Sequence, residues 1–206
     1  MQTYSHFIIT AALLKPIRRW SEQRRLPPLR LSALLWGSVL PDLPLIALTL
    51  ICGLIDLRSG LEFGSEAFFE TSTMAKLFEV WFFHNPWVIT LQNLFHSPLL
   101  LLSYIGLSYG LWRHGKKPMG WGFWLTCSAL LHSLIDILVH HNDGPLLLFP
   151  LNWSLRFHSP ISYWDPAYYG IPFAIFEHSL DLILLALFVI AGLLKGRNQR
   201  RARLRS

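Results

Sequence analysis

Four apolar stretches of this sequence are each long enough to cross a lipid bilayer, and this restricts the chain to membrane folds. They are residues 31–55, 87–112, 119–139 and 171–194. A helical span needs about 20 apolar residues. Only 15% of the residues are charged, against about 25% in a soluble domain. The sequence therefore predicts a single all-α polytopic membrane domain over residues 1–206, with four long transmembrane helices and a short N-terminal helix.

The positive charges indicate which ends of the predicted spans face the cytoplasm. Of the 18 Lys and Arg, six lie in residues 15–30, three in residues 113–117 and six in residues 195–206. The intervening loops, residues 56–86 and 140–170, hold the other three and seven acidic residues. Because basic loops stay on the cytoplasmic side, we expect a cytoplasmic C-terminus and two outer loops. We read these charges as a topology signal, so no nucleic-acid partner is expected.

Eight ionisable side chains lie inside or at the edge of apolar segments of the chain. Insertion of a charged side chain into a membrane costs roughly 2.5–3.5 kcal/mol, so such residues usually mark a functional site. The eight residues are His6, Asp42, His96, His132, Asp136, His140, Glu177 and Asp181.

The densest group consists of His132, Asp136 and His140, which are spaced four residues apart. In a helix, successive steps of this kind keep all three side chains on one face, within an arc of about 80°. Two histidines and a carboxylate on one face are a ligand set typical of zinc. The next residue, His141, is an alternative ligand to His140, and the other of the two then belongs to the loop.

Two further features favour a metal site. Asp42 lies between Pro41 and Pro44, which are expected to break the first long stretch. Irregular backbone at membrane depth is tolerated where it lines a cavity or is covered by protein. Glu177 and Asp181 lie one helical turn apart, and two carboxylates in an apolar setting repel each other unless a cation or a proton joins them. We predict that this pair is catalytic, with Glu177 as the first choice for the proton-transfer role.

These residues resemble the pattern of the predicted membrane-bound, metal-dependent hydrolases of bacteria. The motifs that carry the resemblance are Ser5-His6, Leu40-Pro41-Asp42, Phe95-His96-Ser97 and His132-x-x-x-Asp136, with the loop motifs His140-His141-Asn142-Asp143 and Ser159-Pro160-Ile161-Ser162-Tyr163-Trp164-Asp165-Pro166. The order of ligand types is similar to that of zinc-dependent phospholipase C. The chain departs from that pattern at Glu177-x-x-x-Asp181, where a final His-x-x-x-Glu is expected.

The resemblance implies a bacterial cytoplasmic-membrane protein and a set of metal ligands. That set is His6, Asp42, His96, His132, Asp136 and either His140 or His141. Taken together, the residues and the resemblance predict hydrolysis of a phosphoester or lipid-linked substrate at the outer face, with Zn²⁺ as the expected ion and membrane lipid as the partner. The ordered loop at residues 140–170 is expected to cover the site. Two alternatives stay open: an ion or proton relay, and a structural protein whose polar cluster only fixes helix packing.

Overall fold

The computed structural model describes residues 1–24, 26–61 and 64–203, and this part of the chain contains helices and no strands. The α-helices, in chain order, are α1 (Thr3–Ala12), α2 (Leu14–Gln23), α3 (Leu31–Gly37), α4 (Leu43–Arg58), α5 (Glu66–Thr71), α6 (Thr73–Lys76), α7 (Phe82–His84), α8 (Pro86–Asn93), α9 (Pro98–Arg113), α10 (Met119–Val139) and α11 (Gly170–Arg203). A π-helical segment, Leu77–Trp81, joins α6 to α7, and a 3₁₀ turn, Pro166–Tyr168, precedes α11. The predicted all-α class is confirmed.

Two of the four predicted spans are continuous helices. Within the described residues, α10 and the Gly170–Arg197 part of α11 are long and apolar enough to cross a membrane. A third crossing is present if α8 and α9, which meet at a bend of 46°, count as one span. The predicted span at residues 31–55 is divided into α3 and α4. The structure therefore supports two or three spans, fewer than the four long helices predicted from the sequence.

Proline explains both interruptions. Pro41 lies in the turn between α3 and α4, where it has no N–H to continue the hydrogen bonds of α3, and Asp42 and Pro44 begin α4 as its N-cap and second residue. Pro98 is the first residue of α9 and directly follows the turn at residues 94–97. Proline lacks an N–H group and disfavours helical backbone in the residue before it. The first break agrees with the sequence prediction, whereas the second, which carries His96, was not predicted.

Helix α10 is the centre of the fold and packs against both α9 and α3. Ala33 and Leu34 of α3 are buried against Phe123 and Trp124 of α10. The hydroxyl of Ser128 donates a hydrogen bond to the carbonyl oxygen of Leu34 at 2.6 Å. Small residues and hydrogen bonds of this kind let helices approach closely in a membrane.

Gly37 makes a very close approach between α3 and α10. A Cβ atom added there would lie 2.1 Å from the carbonyl oxygen of Leu125 and 2.8 Å from the Cβ of Ser128. We expect Gly37→Ala to lower the free energy of unfolding by about 1–3 kcal/mol, because overpacking forces the helices apart. Thermal unfolding of the detergent-purified protein measures the loss. Gly106→Ala in α9 is the control, since no described atom beyond its chain neighbours and the backbone of its own helix lies within 4 Å of the added Cβ. An equal effect of the two substitutions would contradict the close contact.

Helix α1 packs along α11 and runs in the same direction. The backbone N–H of Gln2 donates to Glu177 Oε1, and the hydroxyl of Ser5 donates to Asp181 Oδ2, both at 2.7 Å. Only 11% of the most apolar window of α11 is buried inside the protein, as expected for a helix that faces lipid. The contacts with α11 therefore hold α1 at the edge of the helical core.

The loop at residues 140–165 packs back into the bend between α8 and α9. Leu146 and Phe149 form a buried cluster with Ile89. The N–H of Leu146 donates to the side-chain oxygen of Asn93 at 2.8 Å. Buried apolar side chains and hydrogen bonds to the helix break thus fix this part of the loop beside His96.

Candidate metal centre

Four polar side chains from three parts of the chain meet in the protein interior. Asp42 comes from the turn between α3 and α4, His96 from the turn between α8 and α9, and His132 and Asp136 from α10. One ligand atom of each lies within 4.8 Å of every other, and the ring centroids of His96 and His132 are 5.1 Å apart. All except Asp42 are fully buried. The structure brings these four residues together, and the group could hold a metal ion.

Asp136 is the centre of the group because both of its oxygens face histidine nitrogens. Its Oδ2 lies 3.0 Å from the Nε2 atoms of both His96 and His132. Its Oδ1 lies 2.9 Å from His6 Nε2 and 3.6 Å from His140 Nε2. The ring of His6 stacks on that of His132, with centroids 3.6 Å apart. A carboxylate buried this deeply needs such nitrogen partners or a cation to offset its lost hydration.

The hydrogen bonds of His132 determine which of its ring nitrogens is free. Its Nδ1 lies 2.7 Å from the backbone oxygen of Ser38, and since a carbonyl oxygen can only accept, Nδ1 carries a proton. Its Nε2 is buried and has no hydrogen-bond partner among the described residues. That atom faces Asp42 Oδ1 at 3.3 Å and Asp136 Oδ2 at 3.0 Å. A nitrogen lone pair and two carboxylate oxygens repel one another unless a proton or a cation lies between them.

Gln92 lies four residues before His96 and contacts its Nδ1 atom, as the backbone oxygen of Ser38 contacts Nδ1 of His132. The amide nitrogen of Gln92 lies 3.2 Å from His96 Nδ1, while its buried amide oxygen has no partner within residues 1–24, 26–61 and 64–203. Exchange of these two amide atoms, which are nearly indistinguishable in shape, pairs the oxygen with a protonated Nδ1. His96 Nε2 then presents a lone pair towards Asp136, as His132 does. Neither Gln92 nor Ser38 was predicted from the sequence, although a glutamine inside an apolar stretch, four residues before a histidine, is a usable signal.

His140 reaches the group from beyond the end of α10, whereas the sequence predicted that it lies on the same helix face as His132 and Asp136. Helix α10 ends at Val139, and His140 has extended backbone dihedrals, φ −119° and ψ 116°. Its Nε2 nevertheless turns back towards Asp136, and its Nδ1 lies 3.1 Å from Asp143 Oδ1. Burial alone would raise the pKa of Asp143, but His140 and the indole N–H of Trp164 hold that pKa below its usual value. An ionised carboxylate behind a histidine is the support that metal-binding histidines commonly have.

His141 belongs to the loop. Its Nδ1 donates to the backbone oxygen of Ser159 at 2.7 Å. Its ring stacks on Tyr168, with centroids 3.5 Å apart. Of the two neighbouring histidines, the structure therefore brings His140 to the group and places His141 outside it.

Glu177 and Asp181 contact α1 and are not members of the four-residue group. In the part of the chain that the structure describes, the buried Asp181 Oδ1 has no hydrogen-bond partner. The two carboxylates hold the first turn of α1, which in turn carries His6 to Asp136. The backbone nitrogen of Met1 also lies 3.0 Å from Asp136 Oδ1. The predicted role of this pair in proton transfer stays a prediction, and the contacts add a role in positioning α1.

A cavity of about 730 Å³ opens onto the group. Its polar wall includes Asp42, His96, Asp136 and His140. Most of the lining from α4, the π-helical segment and α7 is apolar, through Leu45, Ile46, Leu50, Phe78, Phe82 and Phe83, and Thr49 and Glu79 are its polar members. Residues of the loop after α10 also line it, among them Asp143, Gly144 and Trp164. A molecule with a polar head and an apolar body can therefore reach the histidines.

Fold and site together define the class: an all-helical integral membrane protein with a buried histidine–aspartate cluster that could hold a metal ion. A comparison with models of protein families identifies the family of the chain. It belongs to the YdjM inner membrane protein family, whose model matches residues 1–204. Neither the curated proteins nor the solved structures contain a match. The family match supports the prediction of a bacterial membrane protein. It does not show hydrolase activity or a relationship to zinc-dependent phospholipase C.

Proposed function

We propose that the protein is a metal-dependent hydrolase that acts on a phosphoester or lipid-linked substrate of the inner membrane. The main support is His132, whose buried Nε2 faces two carboxylate oxygens at 3.0 and 3.3 Å while its Nδ1 is committed to Ser38. Imidazole nitrogens and carboxylate oxygens are ligands that suit Zn²⁺. Zinc is therefore the ion that we propose.

In this proposal Asp42, His96, His132 and Asp136 hold the ion. When bound, a zinc ion supplies Lewis acidity to an ester oxygen and activates water for attack. The residues around the ligands supply orientation: Thr3 Oγ1 donates to Asp42 Oδ2 at 2.6 Å, just as Ser38 holds His132. His6 and His140 complete the ring of nitrogens around Asp136.

Hydrolysis is tested on the full chain purified in detergent and loaded with zinc. We expect cleavage of a phosphodiester, either a soluble nitrophenyl diester or a phospholipid, that a chelator abolishes and added zinc restores. His132→Ala should lose both zinc and activity, whereas His114→Ala, an exposed histidine, should keep both. Tightly bound zinc without cleavage of any phosphoester would favour an ion or proton relay. Folded protein that binds no zinc would leave a packing role for the cluster.

We further propose that residues 31–58 and 86–113 each cross the membrane as a broken span. Together with α10 and α11 they would make four crossings, which matches the alternation of basic and acidic loops. Two features support this arrangement. Leu26 and Leu29 of the basic segment 15–30 pack near Trp124 in the first half of α10. Residues 113–117, also basic, lie just before the same end of α10.

This topology predicts that the C-terminus is cytoplasmic and that the loop containing Gly144 is outside. Reporter domains whose activity depends on the compartment, inserted near Gly144 and fused after Ser206, should give opposite results. The physical reason is that basic loops resist translocation across the inner membrane. Reporters on the same side of the membrane would contradict the four-crossing arrangement.

A further inference from the structure

Tyr163 lies beside the histidine–aspartate group, and the proposed set of metal ligands does not include it. It lines the same cavity as Asp42, Asp136 and His140. Its ring lies against the ring of His140, with centroids 4.7 Å apart and an angle of 46° between the planes. The residue belongs to the loop between α10 and α11. A molecule that fills the cavity next to the metal-binding residues therefore contacts this tyrosine.

Backbone hydrogen bonds fix the position of Tyr163 relative to α10. Its N–H donates to the carbonyl oxygen of Val139, the last residue of that helix, at 2.8 Å. The N–H of Ser162 donates to the carbonyl oxygen of Tyr168, also at 2.8 Å. The hydroxyl of the buried Ser162 accepts the N–H of Asp165 at 3.2 Å. These bonds hold the loop on both sides of Tyr163, so the loop does not depend on the hydroxyl of this side chain.

The hydroxyl of Tyr163 is available as a hydrogen-bond donor. Within the described residues, Tyr163 makes hydrogen bonds only through its backbone, and the residue is half-buried. Burial and the negative charges of Asp143, Asp136 and Asp42 raise the pKa of Tyr163 above its usual value. Because the effect of a charge weakens with distance, the hydroxyl lies on the side of the cavity that holds the metal-binding residues. The phenol also stays protonated at neutral pH.

Other donors on the cavity wall are already used within the protein. Three of them donate to a carboxylate or a carbonyl oxygen, and they belong to Thr3, Thr49 and Trp164. Gln2 and Asn142 also line the cavity, but both residues are exposed. Tyr163 is instead held in place by its backbone and by the ring of His140. It is therefore the best-positioned donor for a molecule bound next to the histidine–aspartate group.

The charge of the cavity wall explains why a donor matters at this place. Among the described residues, no lysine or arginine lines the cavity, whereas four carboxylates do, those of Asp42, Glu79, Asp136 and Asp143. Carboxylate oxygens repel an anionic phosphoester at short range. A bound metal ion offsets part of this charge. The phosphoester oxygens that do not face the ion still need a hydrogen-bond donor.

We propose that Tyr163 binds a phosphoester substrate through its hydroxyl, which donates a hydrogen bond to a non-bridging oxygen of the phosphoryl group. A donor that is already in position stabilises charge in the transition state without a cost of reorganisation. Tyr163 is then a catalytic residue, because its hydroxyl touches the reacting group. This inference rests on the proposed hydrolase function, and it narrows the substrate from the two classes named there to phosphoesters.

Tyr163→Phe tests the inference, because it removes the hydroxyl and keeps the ring against His140. In the zinc-loaded full chain in detergent, kcat/KM for the nitrophenyl diester should fall about 10²–10³-fold, the usual cost of losing one such donor. The affinity for orthovanadate, which presents phosphate-like oxygens, should fall about 10–100-fold, as expected for a lost hydrogen bond to a charged group. Zinc content should stay at the wild-type value, because no ligand is changed. Calorimetric titration measures vanadate binding independently of turnover.

Two further variants separate the hydroxyl from the ring. Tyr168→Phe removes a hydroxyl from the same loop, where the ring stacks on His141 outside the cavity lining, and it should behave as the wild type does. Tyr163→Leu removes the ring together with the hydroxyl, and it should lose at least as much turnover and vanadate affinity as Tyr163→Phe. Thermal unfolding of each variant shows that the compared proteins are folded.

Wild-type turnover and vanadate affinity in Tyr163→Phe would overturn the inference, and losses confined to Tyr163→Leu would assign the residue to packing against His140. Loss of zinc from Tyr163→Phe would also overturn it, because the hydroxyl would then support the metal ligands. The proposed function fails separately, if the wild type binds zinc but cleaves no phosphoester. The vanadate comparison then still decides whether Tyr163 binds an oxyanion.

Discussion

Asp136→Asn should lower the affinity for zinc by more than about 100-fold. Loss of a residue that merely supports a metal ligand already costs about 10–100-fold, and Asp136 has histidine nitrogens on both of its oxygens. A titration of the purified variant against a chromophoric zinc chelator measures the affinity. The thermal stabilisation that zinc gives the wild type should disappear as well, since it follows from binding to the folded state.

Asp56→Asn is the matched control for this prediction. Asp56 is as deeply buried as Asp136, at 3% and 2% exposure. Its oxygens accept the backbone N–H groups of Thr73 and Met74 at 2.7 and 2.9 Å, which caps α6. The variant should therefore be less stable but bind zinc with unchanged affinity. A folded Asp136→Asn protein that binds zinc as the wild type does would remove Asp136 from the ligand set.

Glu177→Gln should lower turnover about 10²–10⁴-fold and leave zinc content near that of the wild type, if Glu177 transfers protons as the sequence predicts. The substitution separates the two roles of this residue. The glutamine side chain keeps an oxygen that can accept the N–H of Gln2, so α1 stays in position. It cannot take up a proton, so only the proton-transfer role is lost. Steady-state hydrolysis and metal analysis of the same preparation provide the measurement.

Ser5→Ala is the companion to this variant, because it removes the hydrogen bond from α1 to Asp181 and leaves both carboxylates in place. We expect a small loss of stability and nearly normal turnover. If Glu177→Gln turned over substrate at the wild-type rate, Glu177 would be a positioning residue only, and its part in the chemistry would have to be withdrawn.

Much of the site was predictable because polar residues are rare in apolar segments. His132 and Asp136 stand out on α10, whose bounds, 119–139, match the predicted stretch. Asp42 stands out because adjacent prolines mark a break at membrane depth. His96 was found as a lone histidine in an apolar stretch, and its convergence with the other three follows from the tendency of buried polar groups to find one another.

Other features depend on tertiary contacts that a single sequence does not encode locally. Pro98 is a local signal for the division of residues 87–112 into α8 and α9 that was not used, whereas the burial of Leu146 beside the bend depends on tertiary packing. The end of α10 at Val139 removes His140 from the predicted helix face, although the side chain still reaches Asp136. The choice between His140 and His141 depends on Ser159 and Tyr168, which lie more than 15 residues further along the chain. The supporting roles of Ser38 and Gln92 depend on packing between helices.

Metal binding by the nitrogen and oxygen side chains of this cluster can be measured by X-ray absorption spectroscopy of the zinc-loaded, detergent-purified chain, with metal content determined on the same sample. We expect tightly bound zinc with only nitrogen and oxygen neighbours, at zinc–nitrogen distances of about 2.0–2.1 Å, and loss of that signal in Asp136→Asn. Folded protein that retains no zinc, or zinc with sulfur neighbours from Cys52 or Cys127, would contradict it.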